Sequence, residues 1–281
     1  MSQRGATPGA ALFPAPCVVG HRGAGKGVGA GGFVENTVGS FRHAVEQGAD
    51  WVELDVRVNA SGTLVVSHDA LTRGRRLGEL DDAESVRLGL VTFAEVDAAL
   101  PPAIGIDVEL KVDRGADGAR EGARALERLV PWLAAHRDER PWLATSFDLV
   151  AAGALARSGV ATGWLTDTGV PLERALAGVR RAGLAVAAVH VSAVRVLAAR
   201  DRDGRAPSSR DPDRRDSEDR APEDQRHDRR GSERPVALGG IELLVWDVSP
   251  GDVGPALRAG ATALCADDVA GVRAALDAQA H

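Results

Sequence analysis

Short β-rich runs alternate with helical patterns along almost the whole chain, and this alternation limits the fold more than any other feature. Nine strand candidates stand out, at residues 17–21, 51–58, 63–68, 105–111, 142–147, 162–166, 185–190, 241–248 and 261–266. Helical patterns fall between most of them, at 37–47, 92–100, 116–136, 149–157, 171–181, 251–258 and 269–278. Strands separated by helices imply a parallel sheet covered by helices. Asn36-Thr37 supplies a helix cap, Gly48 a stop, and Pro171 sits at a helix start where a missing N–H costs nothing.

Nine strands exceed an eight-stranded barrel by one. The second and third candidates are joined by Asn59-Ala60-Ser61-Gly62, which is turn chemistry, so they form a hairpin and one lies outside the count. Residues 200–234 break the alternation. They contain no Val, Ile, Leu, Met, Phe or Trp, but 11 Arg and 11 Asp or Glu. A segment of this kind buries no apolar surface and is expected to be a disordered, charge-balanced insertion. It reads as a tolerated surface loop, or as a tether or partner-binding segment. Without its 35 residues the 281-residue chain comes to 246, near the ~250 of a (β/α)8 TIM-type barrel. The expected fold is therefore α/β: one such barrel domain over residues 1–281, with the charged loop inserted. An open doubly wound sheet is the runner-up and lacks a matching nucleotide motif.

Composition narrows the function. A net charge of −6 and the absence of Tyr argue against a nucleic-acid surface. The longest apolar stretch, 184–199, is broken by His190 and Arg195 and is too short to span a bilayer. Pro14 and Pro16 interrupt the apolar stretch near the N-terminus, which argues against a signal peptide. Two cysteines, Cys17 and Cys265, form no disulfide framework and read as reduced core residues, so a cytoplasmic protein is expected.

Chargeable residues recur at the strand ends: His21-Arg22, Glu53 and Asp55, His68-Asp69, Glu109 and Lys111, Ser146, His190, Trp246-Asp247. In a barrel these ends form the active-site face. Residues i and i+2 of a strand share a face, about 6.6 Å apart, so Glu53 pairs with Asp55 and Glu109 with Lys111. Three converging carboxylates repel unless a cation sits among them. An all-oxygen set suits Mg²⁺ or Ca²⁺. A buried ionic network with Arg22, Arg57 and Lys111 fits the spacing as well. The chain uses 32 Arg and two Lys, so Lys111, set between Val108 and Val112, reads as a compact point charge kept at a fixed place. The other, Lys26, lies in the Gly-rich loop 23–32, which lacks the Gly-Lys-Ser/Thr of a P-loop and reads as a lid or plain loop. His21 and His68, each ending a β-rich run, make an acid/base pair.

His21-Arg22-Gly23, Glu35-Asn36-Thr37, Glu53-Leu54-Asp55, His68-Asp69, Glu109-Leu110-Lys111, Ser146-Phe147 and Trp246, in this order, resemble the glycerophosphodiester phosphodiesterase family. The resemblance covers about residues 18–272 apart from 200–234. It implies one divalent cation, Mg²⁺ or Ca²⁺, and hydrolysis of a small-molecule glycerophosphodiester to glycerol 3-phosphate and an alcohol. It further implies metal ligands Glu53, Asp55 and Glu109, acid/base catalysis by His21 and His68, phosphate contacts from Arg22 and Lys111, and Trp246 lining the glycerol side. The chain departs from the family pattern at Val34, at Asp247 and Ser249, and at Ala266. Two other functions compete: a lysophospholipase D of the same fold, and a non-enzymatic barrel that binds a partner through the charged tract.

Overall fold

A computed structural model of the chain describes residues 11–13, 15–202 and 238–280. Its strands are β1 (Cys17–Gly20), β2 (Trp51–Val58), β3 (Leu64–Val66), β4 (Leu71–Thr72), β5 (Arg75–Arg76), β6 (Gly105–Leu110), β7 (Trp142–Ser146), β8 (Ala161–Leu165), β9 (Val186–His190), β10 (Glu242–Trp246) and β11 (Ala263–Ala266). Its helices are α1 (Val38–Glu46), α2 (Asp82–Arg87), α3 (Phe93–Ala99), α4 (Ala116–His136), α5 (Leu149–Leu155), α6 (Leu172–Ala182), α7 (Val191–Arg202), α8 (Val253–Arg258) and α9 (Val269–Asp277).

Eight of these strands run parallel in the order β1-β11-β10-β9-β8-β7-β6-β2, and pairing of β1 with β2 closes the ring. The expected TIM-type barrel is therefore present. The ninth strand is β3, which pairs antiparallel with β2 through Val56 and Val66, as the Asn59–Gly62 turn required. Asn59 holds that turn with its own side chain, which accepts from the Thr63 amide at 2.9 Å.

Two apolar layers stabilise the ring. Outward-facing strand residues such as Val18, Leu54, Val108 and Val245 pack against the helices and are fully buried. Inward-facing Val19, Trp51, Leu143, Val186 and Leu244 fill the barrel with Phe13, whose ring meets Trp51 edge-on at 5.1 Å. The segment before β1 closes the barrel floor, and the main-chain N–H of Phe13 donates to Glu242 at 3.1 Å. Gly105 faces the same tryptophan in register, and a Cβ there would lie 2.1 Å from the Trp51 ring, so only glycine fits.

Two local readings need correction. Residues 191–202 form α7, which the helical patterns read from the sequence omit, while the strand at 185–190 is present as β9. The apolar residues Val191, Ala193 and Val194 are buried on one side at helical spacing. The first three residues of the expected disordered tract 200–234 belong to this helix, and residues 203–234 lie outside the described residues. The stretch 70–90 forms the β4–β5 hairpin and α2. It carries a satellite core of Val65, Leu77 and Leu80, and Asp81 and Glu84 make a reciprocal cap.

Cys17 and Cys265 lie on the paired strands β1 and β11, both buried and both free. Among the described residues no helix is long and apolar enough to cross a membrane.

Candidate active site

Register brings the acidic strand ends together. Glu53 lies opposite Asp107 and Asp55 opposite Glu109 across the β2–β6 pair, all on the inward face. Oxygens of Glu53, Asp55 and Glu109 come within 4.8 Å of one another, and all three residues are buried. They lie at or under a cavity of about 150 Å³ at the C-terminal mouth of the barrel. His21, Arg22, Glu53, His68, Glu109, Lys111 and Trp246 all line it. Asp55 sits beneath, 1% exposed.

The cations are interleaved with the acids. Lys111 Nζ lies 2.6 Å from Glu109 Oε1 and 3.1 Å from Asp55 Oδ1. The Arg22 main-chain N–H donates to Glu53 at 2.8 Å, and its guanidinium lies 3.4 Å from Asp55 Oδ2 and donates to Glu35 at 3.0 Å. Asn36 donates to Asp55 at 2.7 Å. Arg57, expected in this network, is elsewhere: it donates to the His68 carbonyl and to Asp113. Burial pushes the Glu53 carboxyl well above the usual range, and the charges of Asp55 and Glu109 add to this. Burial opposes the charge on Asp55 too, but Lys111 and Arg22 outweigh it and hold that carboxyl low. Glu109 is raised by burial despite Lys111.

Glu53 Oε1 is buried and accepts no hydrogen bond from the protein, and Asp55 Oδ1 faces only the Lys111 ammonium. An orphaned carboxylate oxygen among three convergent acids fits a hard divalent cation.

Each histidine carries its own carboxylate. His21 Nδ1 meets Asp267 Oδ1 at 2.7 Å, and its Nε2 faces Glu53 at 3.9 Å. His68 Nδ1 meets Asp69 at 2.7 Å. Such partners fix the imidazole tautomer and leave Nε2 to exchange a proton. Burial, reinforced by Lys111, lowers the His68 pKa. Trp246 forms an apolar wall with Phe147, edge-on at 5.8 Å.

Three site residues were not assigned from sequence. Asp107 lines the cavity, and burial raises its carboxyl to about 8, partly offset by the Thr145 hydroxyl. Its signal was the same i, i+2 alternation, since Asp107 precedes Glu109 by two. Asp267 offered no comparable signal, and Lys26 only its rarity as one of two lysines: loops of different strands bring them to the site. Ser146 and His190 sit outside the cavity lining. Ser146 donates to the Leu110 carbonyl, and His190 stands behind Trp246. Arg22, Asn36 and Asp247 have positive φ, of 51°, 57° and 64°. Strain of this kind in non-glycine residues collects at functional sites.

Fold and site together define a parallel α/β barrel with an acidic, two-histidine pocket at its C-terminal mouth. Residues 21–156 match the model of the Glycerophosphoryl diester phosphodiesterase family, and the chain carries the domain of that family. A Glycerophosphodiester phosphodiesterase from Caldanaerobacter subterraneus subsp. tengcongensis is 48% identical over 52 residues, 18% of this chain and 19% of that protein. A lysophospholipase D from Homo sapiens is 45% identical over 51 residues, 18% of this chain and 15% of its own. These matches therefore span about a fifth of the relatives' length or less. A solved glycerophosphodiester phosphodiesterase from Thermotoga maritima superposes with a TM-score of 0.60 at 22% identity, covering 95% of this chain and 98% of its own. An Oleispira antarctica phosphodiesterase, solved with the product sn-glycerol-3-phosphate, gives 0.61 at 19% identity over 94% and 97%.

Proposed function

We propose that the chain hydrolyses glycerophosphodiesters to sn-glycerol 3-phosphate and an alcohol with the help of one divalent cation, Mg²⁺ or Ca²⁺. The observation that carries this reading is the buried Glu53–Asp55–Glu109 cluster flanked by two histidines that each hold a carboxylate partner. Glu53, Asp55 and Glu109 would hold the cation, which when bound polarises the phosphoryl group and stabilises charge developing on its oxygens.

The other roles follow from position. Arg22 and Lys111 bring positive charge to the same cavity and orient the anionic phosphodiester. His21 and His68, both on the cavity wall, exchange protons with the attacking and leaving oxygens. Asp267 and Asp69 hold their rings. Trp246 and Phe147 exclude water on one side. Three carboxylates, one divalent cation, two basic side chains and a phosphodiester monoanion sum to neutrality, so the bound state leaves no uncompensated buried charge. Two free buried thiols suit a reducing compartment, and we place the protein in the cytoplasm.

The test is release of glycerol 3-phosphate from glycerophosphocholine and glycerophosphoethanolamine with Mg²⁺, Ca²⁺ or EDTA. Metal-dependent release is expected, and His21→Ala and Glu53→Gln should abolish it. Release that persists in EDTA, or in both variants, would overturn the assignment.

A second reading has its own support. An apolar groove of about 260 Å³ lies between residues 168–173 and the start of α7, on the same face of the barrel. It gives an acyl chain a place, as a lysophospholipase D would need. Choline release from lysophosphatidylcholine, set against choline release from glycerophosphocholine, decides between the two.

A further inference from the structure

Both lysines of the chain line the same cavity, although the chain places arginine at its 32 other basic positions. Lys111 belongs to the acidic end. Lys26 reaches the cavity over the ends of β10 and β11, at Asp247, the residue that follows Trp246, and Asp267. The Gly-rich loop that carries it is no loose lid. Gly25 N–H donates to His21 O at 3.1 Å, Ala30 N–H to Ala24 O at 2.9 Å, and Glu35 N–H to Gly27 O at 2.8 Å. Gly25 also packs its backbone onto residue 267, where a Cβ would lie 2.9 Å from the Asp267 carbonyl oxygen.

The ammonium is held from behind. Lys26 Nζ donates to Asp247 Oδ1 at 2.8 Å and lies 3.5 Å from Asp267 Oδ2. Asp247 is itself fixed by His190 Nε2 at 3.2 Å and sits at a positive φ of 64°. With two of three ammonium hydrogens directed at carboxylates, the third is left for the cavity. Two carboxylates already oppose the charge of Lys26. The trio therefore offers no net attraction to a second anion, but it still offers one strong donor. A donor at the rim of a cavity that Trp246, Phe147, Leu165 and Leu244 also line suits a short carbon chain bearing hydroxyls.

We propose that Lys26, positioned by Asp247, is the specificity-determining contact for a hydroxyl-bearing carbon group on the substrate's phosphorus. This rests on the phosphodiesterase reading for its substrate but is measured without turnover. The probes are sn-glycerol 3-phosphate and n-propyl phosphate, which share the phosphate and differ by the two hydroxyls. Their Kd values are measured calorimetrically on the full chain with excess Mg²⁺ or Ca²⁺, beside hydrolysis of glycerophosphocholine by the parent.

The parent should bind glycerol 3-phosphate about tenfold to a hundredfold more tightly, the range for a hydrogen bond to a charged donor. Lys26→Met should reduce that ratio to within about threefold. Asp247→Asn, which keeps the shape but frees the ammonium, should fall between. Lys26→Met retains the main-chain N–H that donates to Asp267 at 3.2 Å, so the Asp267–His21 contact is preserved. A ratio unchanged in both variants, or equal weakening of both ligands in Lys26→Met, would overturn the inference. A parent that hydrolyses nothing, yet shows the ratio and its loss, would overturn the reaction and leave the subsite standing.

Discussion

Replacing Glu53 by Gln separates a metal centre from a buried ionic network. Glu53 is 5% exposed, and one of its oxygens accepts the Arg22 main-chain N–H while the other has no partner. Gln keeps the shape and the acceptor and removes the charge that burial and two neighbouring carboxylates disfavour. Metal-free Glu53→Gln should therefore unfold within about 1 kcal/mol of the parent, or above it. With a cation at a hundred times its Kd, the parent gains about 2.7 kcal/mol. For a chain of this size that raises Tm by about 5–11 °C. The variant, with a ligand lost, should show little of this rise. Differential scanning calorimetry in EDTA and with Mg²⁺ or Ca²⁺ reads both effects. A loss of about 3–5 kcal/mol in EDTA would mean that Glu53 works as the anion of a structural pair. That result, or a parent whose Tm ignores the cation, would refute the reasoning.

Three further outcomes are expected. Asp267→Asn should lower kcat for glycerophosphodiester hydrolysis about a hundredfold, with KM little changed, because the amide no longer holds the His21 tautomer; steady-state kinetics checks the split. Gly105→Ala should cost about 1–3 kcal/mol in urea unfolding, since the added Cβ meets the Trp51 ring on the neighbouring strand. Asp252, chelated by Arg195 at 2.6 and 2.7 Å, is lowered to about 2 mainly by that side-chain hydrogen bond. Its folded pKa lies below the unfolded value, so its contribution is full above about pH 4 and is lost as pH falls through 2. Asp252→Asn should remove about 1 kcal/mol at neutral pH, given the solvent-exposed arginine, and flatten the acid limb of an unfolding titration.

The sequence by itself determined the barrel and its acidic core. The alternation of strand and helix sets a parallel sheet, and the Asn59–Gly62 turn removed the surplus strand. The i, i+2 spacing of Glu53-Leu54-Asp55 and Glu109-Leu110-Lys111 put those side chains on one face, because strand periodicity is a local property. Helix α7 was hidden because it follows β9 directly, His190 to Val191, with no turn residue to mark where the apolar strand ends and the helix begins. Tertiary structure alone decided the pairings. Register across β2 and β6 set Glu53 against Asp107. Closure of β1 on β11 brought Asp267 to His21. A loop from β1 reached over the mouth to place Lys26 on Asp247. These contacts join residues more than two hundred positions apart in the chain, or on different strands, and no local pattern records them. They exist because a closed ring makes the first strand and the last neighbours.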